Sequence, residues 1–286
     1  MKHFLISFLM LCSLPCFAQI KVPADFAFST PFYEAENKYV VFSPKPADDY
    51  LALGVPYFDP TAGYSYRYLG NLKVANGKLN FYPADPNSSL IARWENLDLK
   101  VAVLSPSRVK EFKLAPEPEF LKDYQTDKLD TDYLMDKLSA QNGAGYPQLA
   151  LPKLEKLQKE GYRSATIYFE LAFAYNALNQ FSKAEAAVDE AEKNGFRDEL
   201  LIKEMHYALL HQNKVLPAAE YLEKNFKNFK SKSYKSESIL NQLITFDNNK
   251  DLKNTQKWIA IYKTEIGEDQ YKPRVDEIEK RLKDTK

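Results

Sequence analysis

The chain has 286 residues, of which 39 are basic, 39 acidic and 45% apolar. That length accommodates two ordinary domains, each with a core of its own. The formal net charge of zero gives no ground for expecting nucleic acid or an acidic membrane surface as a partner.

Residues 1–18 have the grammar of a secretory signal peptide. Lys2 and His3 open it, and Phe4 to Leu14 is apolar almost throughout. Pro15-Cys16-Phe17-Ala18 then sets small residues at the −3 and −1 positions before Gln19. A membrane anchor needs roughly 18–20 apolar residues, more than this run supplies, and no later stretch supplies them either. Both cysteines, Cys12 and Cys16, fall inside the removed segment. The mature chain is therefore expected to hold no disulfide and to depend on its core. The expected location is a bacterial envelope, periplasmic or secreted. A eukaryotic secreted protein using the sequon Asn87-Ser88-Ser89 is the alternative.

Residues 19–116 read as a β-rich domain. Lys38 to Ser43 is β-branched and aromatic, and Tyr64, Tyr66 and Tyr68 alternate with Ser65 and Arg67. Leu72 to Val74 and Lys78 to Phe81 flank Asn76-Gly77, a pair that accepts positive φ and marks a hairpin. Leu90 to Trp94 and Leu97 to Leu104 suggest a second hairpin turning at Glu95-Asn96. Val109 to Leu114 suggests an edge strand. Six or seven short strands fit a small antiparallel sandwich or a partly open barrel.

Twelve of the sixteen prolines precede residue 120. Pro116 and Pro118 stiffen the boundary, and residues 117–130 read as a linker or short helix. Residues 131–270 then read as helical repeats. Ala150, Ala184 and Ala218 recur at equal intervals, and Glu155–Arg163 aligns with Asp189–Arg197 at the same offset. In the best repeat, 165–198, Tyr168, Leu171, Ala172 and Tyr175 share one stripe of a first helix. Phe181, Ala184, Val188 and Ala191 form the stripe of a second. Asn179 suits the turn between them, and Gly195 suits a left-handed cap. The repeat at 199–232 keeps Ile202, Met205, Leu209, Ala218 and Leu222. The outer units are degenerate: Pro152 is expected to interrupt the second helix of the first, and the last loses the alanine. Residues 271–286, with Val275, Ile278 and Leu282 on one face, read as a capping helix.

On these residues the second half resembles the tetratricopeptide-repeat family, whose unit of two helices is about 34 residues long. Tyr168, Leu171, Ala172, Tyr175, Ala184, Val188 and Ala191 stand at the family's signature positions. The resemblance implies an α-solenoid of helical hairpins whose first helices line a partner-binding groove. Carried over by position, that groove takes Thr166, Phe169, Glu170, Phe173 and Asn176 from one repeat. The next gives Lys203, Glu204, Tyr207, Leu210 and His211. The carboxylate clamp of chaperone-binding members is missing, since Phe169 and Phe173 occupy clamp positions. The aromatics imply a groove for an apolar or extended segment, unless the β half or the outer helices cover them.

No catalytic motif is found: G-x-S-x-G, P-loop, H-E-x-x-H and G-x-G-x-x-G are all missing from the sequence. His206 and His211 project about 140° apart on a helix, so no shared metal is expected, and His206 reads as a packed structural histidine. Asp247 to Asp251 begins like a calcium loop, but Leu252 and Trp258 stand where Gly and a bidentate Glu belong. It reads as a turn. Lys224, Lys227, Lys230, Lys232 and Lys235 interleave with Phe226, Phe229 and Tyr234 and read as a helix end, with an anionic lipid or glycan contact as the alternative. Tyr64, Tyr66 and Tyr68 could make a platform for sugar rings or a strand's core face. Asp48, Asp49 and Asp59 nominate no acid pair without geometry.

The expected function is thus that of an exported, non-enzymatic adaptor that binds a protein or peptide segment through the helical repeats, without a cofactor. The alternative is a glycan-binding or carbohydrate-active accessory protein acting through the β domain.

Overall fold

The computed structural model describes residues 20–85, 90–124 and 130–284. The signal-peptide segment, Cys12 and Cys16 included, and the sequon at Asn87 lie outside the described residues. The chain divides into two compact units, with the boundary between Tyr133 and Leu134.

The first unit is built on one antiparallel sheet. Its strands are β1 (Thr30–Pro31), β2 (Val40–Phe42), β3 (Leu51–Asp59), β4 (Gly63–Ala75), β5 (Lys78–Pro83), β6 (Ile91–Arg93) and β7 (Lys100–Val103). The order is β1-β7-β2-β3-β4-β5, with β6 beside β4. The β domain is antiparallel as expected, and its single sheet is open, where the sequence suggests a small sandwich or a partly open barrel. Leu51, Leu53, Val55 and Tyr57 alternate onto one face of β3, and no second sheet closes over them among the described residues. Their core is completed by Ile20, Phe26, Phe112 and Leu121 from outside the strands. An aromatic group that includes Phe32, Phe42, Tyr66 and Trp94 packs together elsewhere in the unit.

The Asn76-Gly77 hairpin forms as read: the two residues have φ of 52° and 73°, and Ala75 pairs with Lys78. Three other readings change. The alternating tyrosines and Leu72–Val74 belong to one 13-residue strand, β4. The second hairpin does not form, because β6 pairs with β4 and β7 pairs with β1 and β2. Val109 lies in helix α1 (Pro106–Glu111), not in an edge strand. Ser105 caps that helix and Pro106 occupies its first turn, a start signal that outweighs the β preference of one valine.

Nine helices follow among the described residues: α2 (Thr131–Gly143), α3 (Pro147–Lys159), α4 (Ala165–Ala177), α5 (Phe181–Lys193), α6 (Glu199–His211), α7 (Val215–Asn225), α8 (Lys232–Asn248), α9 (Leu252–Glu265) and α10 (Lys272–Asp284). The starts of α2, α4 and α6 are evenly spaced, and those of α3, α5 and α7 repeat at the same interval. The turns obey the same period: Gly145, Asn179 and Asn213 have φ of 85°, 58° and 60°. Asn and Gly reach this left-handed region at least cost. The side chains of Ser164 and Asp198 cap α4 and α6. Ala150, Ala172, Ala184 and Ala218 are wholly buried, and their small size lets neighbouring helices approach closely.

Pro152 does not break its helix. It lies inside α3, exposed, and the carbonyl it deprives of an amide partner is that of the exposed Gln148. On an exposed face such a carbonyl is open to solvent instead of being stranded in the core, which lowers the usual cost. Val275 and Ile278 of α10 are buried in the core shared with α8 and α9.

Candidate functional site

The first helices of three successive hairpins, α4, α6 and α8, border a cleft of about 340 Å³. Its lining follows the repeat. Phe173, Tyr207 and Asn241 occupy one frame position, each a single period from the next, and so do Lys203 and Glu237, and Glu204 and Ser238. A smaller hollow of about 250 Å³ adjoins it, sharing Tyr207 and Asn241 and adding Leu210, His211 and Ile244.

The expected groove residues divide into two groups. Phe173, Lys203, Tyr207, Leu210 and His211 line these hollows. Tyr207 is 42% exposed. Its ring lies 4.1 Å from His211, which in turn stacks on Phe181 at 4.9 Å. Phe169 is half-buried beside Phe173, ring centres 6.1 Å apart. Thr166 is exposed but borders neither hollow.

Glu170 and Asn176 form the second group. They are 5% and 4% exposed; Asn176 still borders the cleft beside the aromatics, whereas Glu170 borders neither hollow. They join first helices to one another. Asn142 Nδ2 donates to the Glu170 carboxylate at 2.6 Å and to its main-chain carbonyl at 3.1 Å, and Ser139 Oγ also donates to the carboxylate. Asn176 Nδ2 repeats the contact one period later, donating to the Glu204 carboxylate at 2.8 Å and to its carbonyl at 3.0 Å. Burial raises the pKa of Glu170 against the opposing effect of the Ser139 and Asn142 bonds. Burial likewise raises that of Glu204, opposed by the Asn176 bond and the charge of Lys203.

Lys203 Nζ lies 2.8 Å from Glu237 and 4.3 Å from the centre of the Tyr234 ring. His206 is 2% exposed, and burial pulls its pKa down to about 4, so it is neutral near pH 7. Its Nε2 is 3.0 Å from Gln242 Oε1, while Gln242 Nε2 donates to the carbonyl of Val215. The amide orientation makes His206 Nε2 the donor.

Sequence reasoning left out Glu237, Ser238 and Asn241. The signal was available: adding one period to Lys203, Glu204 and Tyr207 names all three.

Other candidates resolve into structure. Tyr64 and Tyr66 are 4% and 6% exposed, and Tyr66 meets Phe42 edge-on at 4.7 Å. Those two rings face the core and make no open platform. Asp59 accepts from the amides of Thr61 and Ala62 in the β3–β4 turn, Asp48 accepts from the Lys45 amide, and Asp49 pairs with Lys73. Of the lysine run, Lys224 lies in the last turn of α7, Lys227 and Lys230 in the connection, and Lys232 and Lys235 in α8, so it does not end a single helix. Within it, Lys235 pairs with Glu265 and Lys232 donates to the Glu268 carbonyl. Asp247 to Asp251 forms the α8–α9 turn, with Lys250 at φ 58° and Asp251 capping α9. A hollow of about 480 Å³ in the first unit is bordered by apolar residues of β7 and α1 and by Lys38 and Lys110, with no carboxylate or histidine in its lining.

No family model matches this chain, and no curated protein matches it. No helix among the described residues is long and apolar enough to cross a membrane.

Proposed function

We propose that this chain is a non-enzymatic interaction module of the tetratricopeptide-repeat kind, which holds an extended segment of a partner protein along α4, α6 and α8. The observation that carries this reading is the periodic cleft. Phe173, Tyr207 and Asn241 present the same frame position from three hairpins, so a segment running across the helices meets side chains at a regular spacing. The polar side chains there are held by neighbours in ways that position them: Lys203 by Glu237, and Glu204 by Asn176. The signal-peptide grammar of residues 1–18 supports a bacterial envelope as the location of this binding, with mature protein beginning at Gln19.

The test is selection of peptides from a displayed random library by the mature chain. An enriched sequence pattern should appear, and its binding should weaken at least tenfold in Phe173→Ala/Tyr207→Ala. Circular dichroism would first establish that this variant retains its helices. Failure to enrich any pattern, or equal binding by the variant, overturns the reading, as does saturable turnover of envelope substrates by the purified protein.

A further inference from the structure

One lysine stands against two carboxylates in the cleft. Lys203 is taken up by Glu237 at 2.8 Å and by the ring of Tyr234. Glu204 has no cation within ion-pair distance among the described residues, and its carboxylate rests on the Asn176 amide. His206 supplies no charge to it near pH 7, being buried and bonded to Gln242. The charge of Lys203 reaches Glu204 only from a longer distance, and a carboxylate partly withdrawn from water without an ion-pair contact is a destabilising arrangement.

The rest of the lining points the same way. Asn176, 4% exposed, borders the cleft and fixes the Glu204 carboxylate through Nδ2. The rings of Phe173 and Tyr207 stand in the same lining. A carboxylate beside aromatic faces suits a cation that both donates hydrogen bonds and packs on rings. A volume of about 340 Å³ is near the lower end for ligand sites and has room for one long side chain.

We propose that the cleft takes an arginine or lysine side chain from an extended protein segment, with its head group on the Glu204 carboxylate and its stem along Phe173 and Tyr207. This rests on the groove reading above and adds the charge of the occupant. Arginine fits better than lysine, because its planar head carries five donors and stacks on aromatic faces.

The experiment is a positional scan of randomised nonapeptides, each pool fixing one amino acid at the central position, probed with the mature chain. The arginine pool should bind roughly ten- to hundredfold more tightly than the leucine or glutamate pool, the range expected for a charge-assisted hydrogen bond. Glu204→Gln should abolish that preference. Tyr207→Ala, a change at an exposed side chain, should weaken it. Glu185→Gln, at a carboxylate outside the cleft lining that binds Lys214 and Gln212, should leave it intact.

A preference for neutral or acidic pools that is lost in Phe173→Ala/Tyr207→Ala overturns the basic occupant and keeps the groove. An arginine preference that survives Glu204→Gln also overturns it. Free arginine or a simple diamine binding as tightly as the peptides makes the occupant a small cation and not a protein segment. Absence of binding by every pool removes both the basic occupant and the groove reading.

Discussion

Asn176 grips Glu204 twice, donating from Nδ2 to both its carboxylate and its main-chain carbonyl. The bond runs from the first helix of one hairpin to the first helix of the next. Asn142 and Glu170 make the same double contact one period earlier. At the next step Leu210 and Ser238 occupy the two positions and the clasp ends. A repeated polar clasp fixes helix register more sharply than apolar contact alone, because an amide displaced along the axis loses both acceptors at once.

Asn142→Ala should therefore destabilise the protein by about 2 kcal/mol, the cost of leaving a buried carboxylate short of a donor. Asn176→Ala should cost less, since Glu204 is more exposed than Glu170. Urea midpoints measure both. In a double-mutant cycle, Asn142→Ala and Glu170→Gln should show coupling of about 1 kcal/mol or more. Strict additivity would remove the clasp from the stability of the fold.

His206 makes the protein sensitive to acid. Its folded pKa of about 4 lies below the ordinary value of 6.5, so between these values the unfolded chain binds the proton and the folded chain does not. Stability is complete above about pH 6.5 and falls as pH drops toward 4, by roughly 3 kcal/mol from this residue. Glu170 and Glu204 act in the opposite sense just above their ordinary pKa, because their folded values are raised. The difference between wild type and His206→Gln isolates the histidine. In urea titrations from pH 7 to pH 4, that difference should shrink as the pH falls, and a constant difference would contradict it.

Gly54→Ala should be among the most damaging single changes in the sheet. An added Cβ would lie 2.3 Å from the Arg67 carbonyl oxygen and 2.4 Å from the Tyr66 ring. The β3–β4 register shifts at Leu53/Gly54, where Leu53 pairs with Gly70 and Gly54 with Tyr68. The bulge brings the two strands too close for a side chain. Destabilisation of about 3 kcal/mol is expected. A loss under about 1 kcal/mol would mean that the strands can separate freely there.

Lys250→Gly should stabilise. Lys250 holds φ at 58° in the α8–α9 turn, at a cost of about 1–2 kcal/mol for a residue with a side chain. Glycine relieves that cost but loosens the unfolded chain, leaving a net gain of about 0.5–1 kcal/mol. Thermal unfolding measures it. Lys250→Val should lower the midpoint, because a β-branched side chain resists positive φ.

The helical half was legible because its information is local and repeated. Each hairpin spells its caps, its turn and its stripe within a single period, and a reader who has parsed one has parsed the next. Pro152 does not break its helix as its residue type suggests, because proline cost depends on which side of the helix loses its bond, and only packing sets that side. The β half was less legible. Leu51–Asp59 is buried on both faces for most of its length and so lacks the alternation that marks a strand. Ile91–Arg93 lies close in sequence to Lys100–Val103, yet each pairs with other strands, since pairing is decided by contacts distant along the chain.

The candidate site divides in the same way. Phe173, Tyr207 and Asn241 are placed by the period alone, and the sequence determines that they share a frame. Which of the groove positions face water is a tertiary outcome. Glu170 shares its frame with the exposed Asp136 and Asn176 shares its frame with the half-buried Leu210, but the approach of the neighbouring first helix encloses them and turns their polar groups into clasps. Periodicity fixes the direction in which a side chain leaves its helix, because backbone geometry is local. Burial, and with it the charge state and partners of Glu170, Glu204 and His206, depends on what the rest of the chain brings against that side chain.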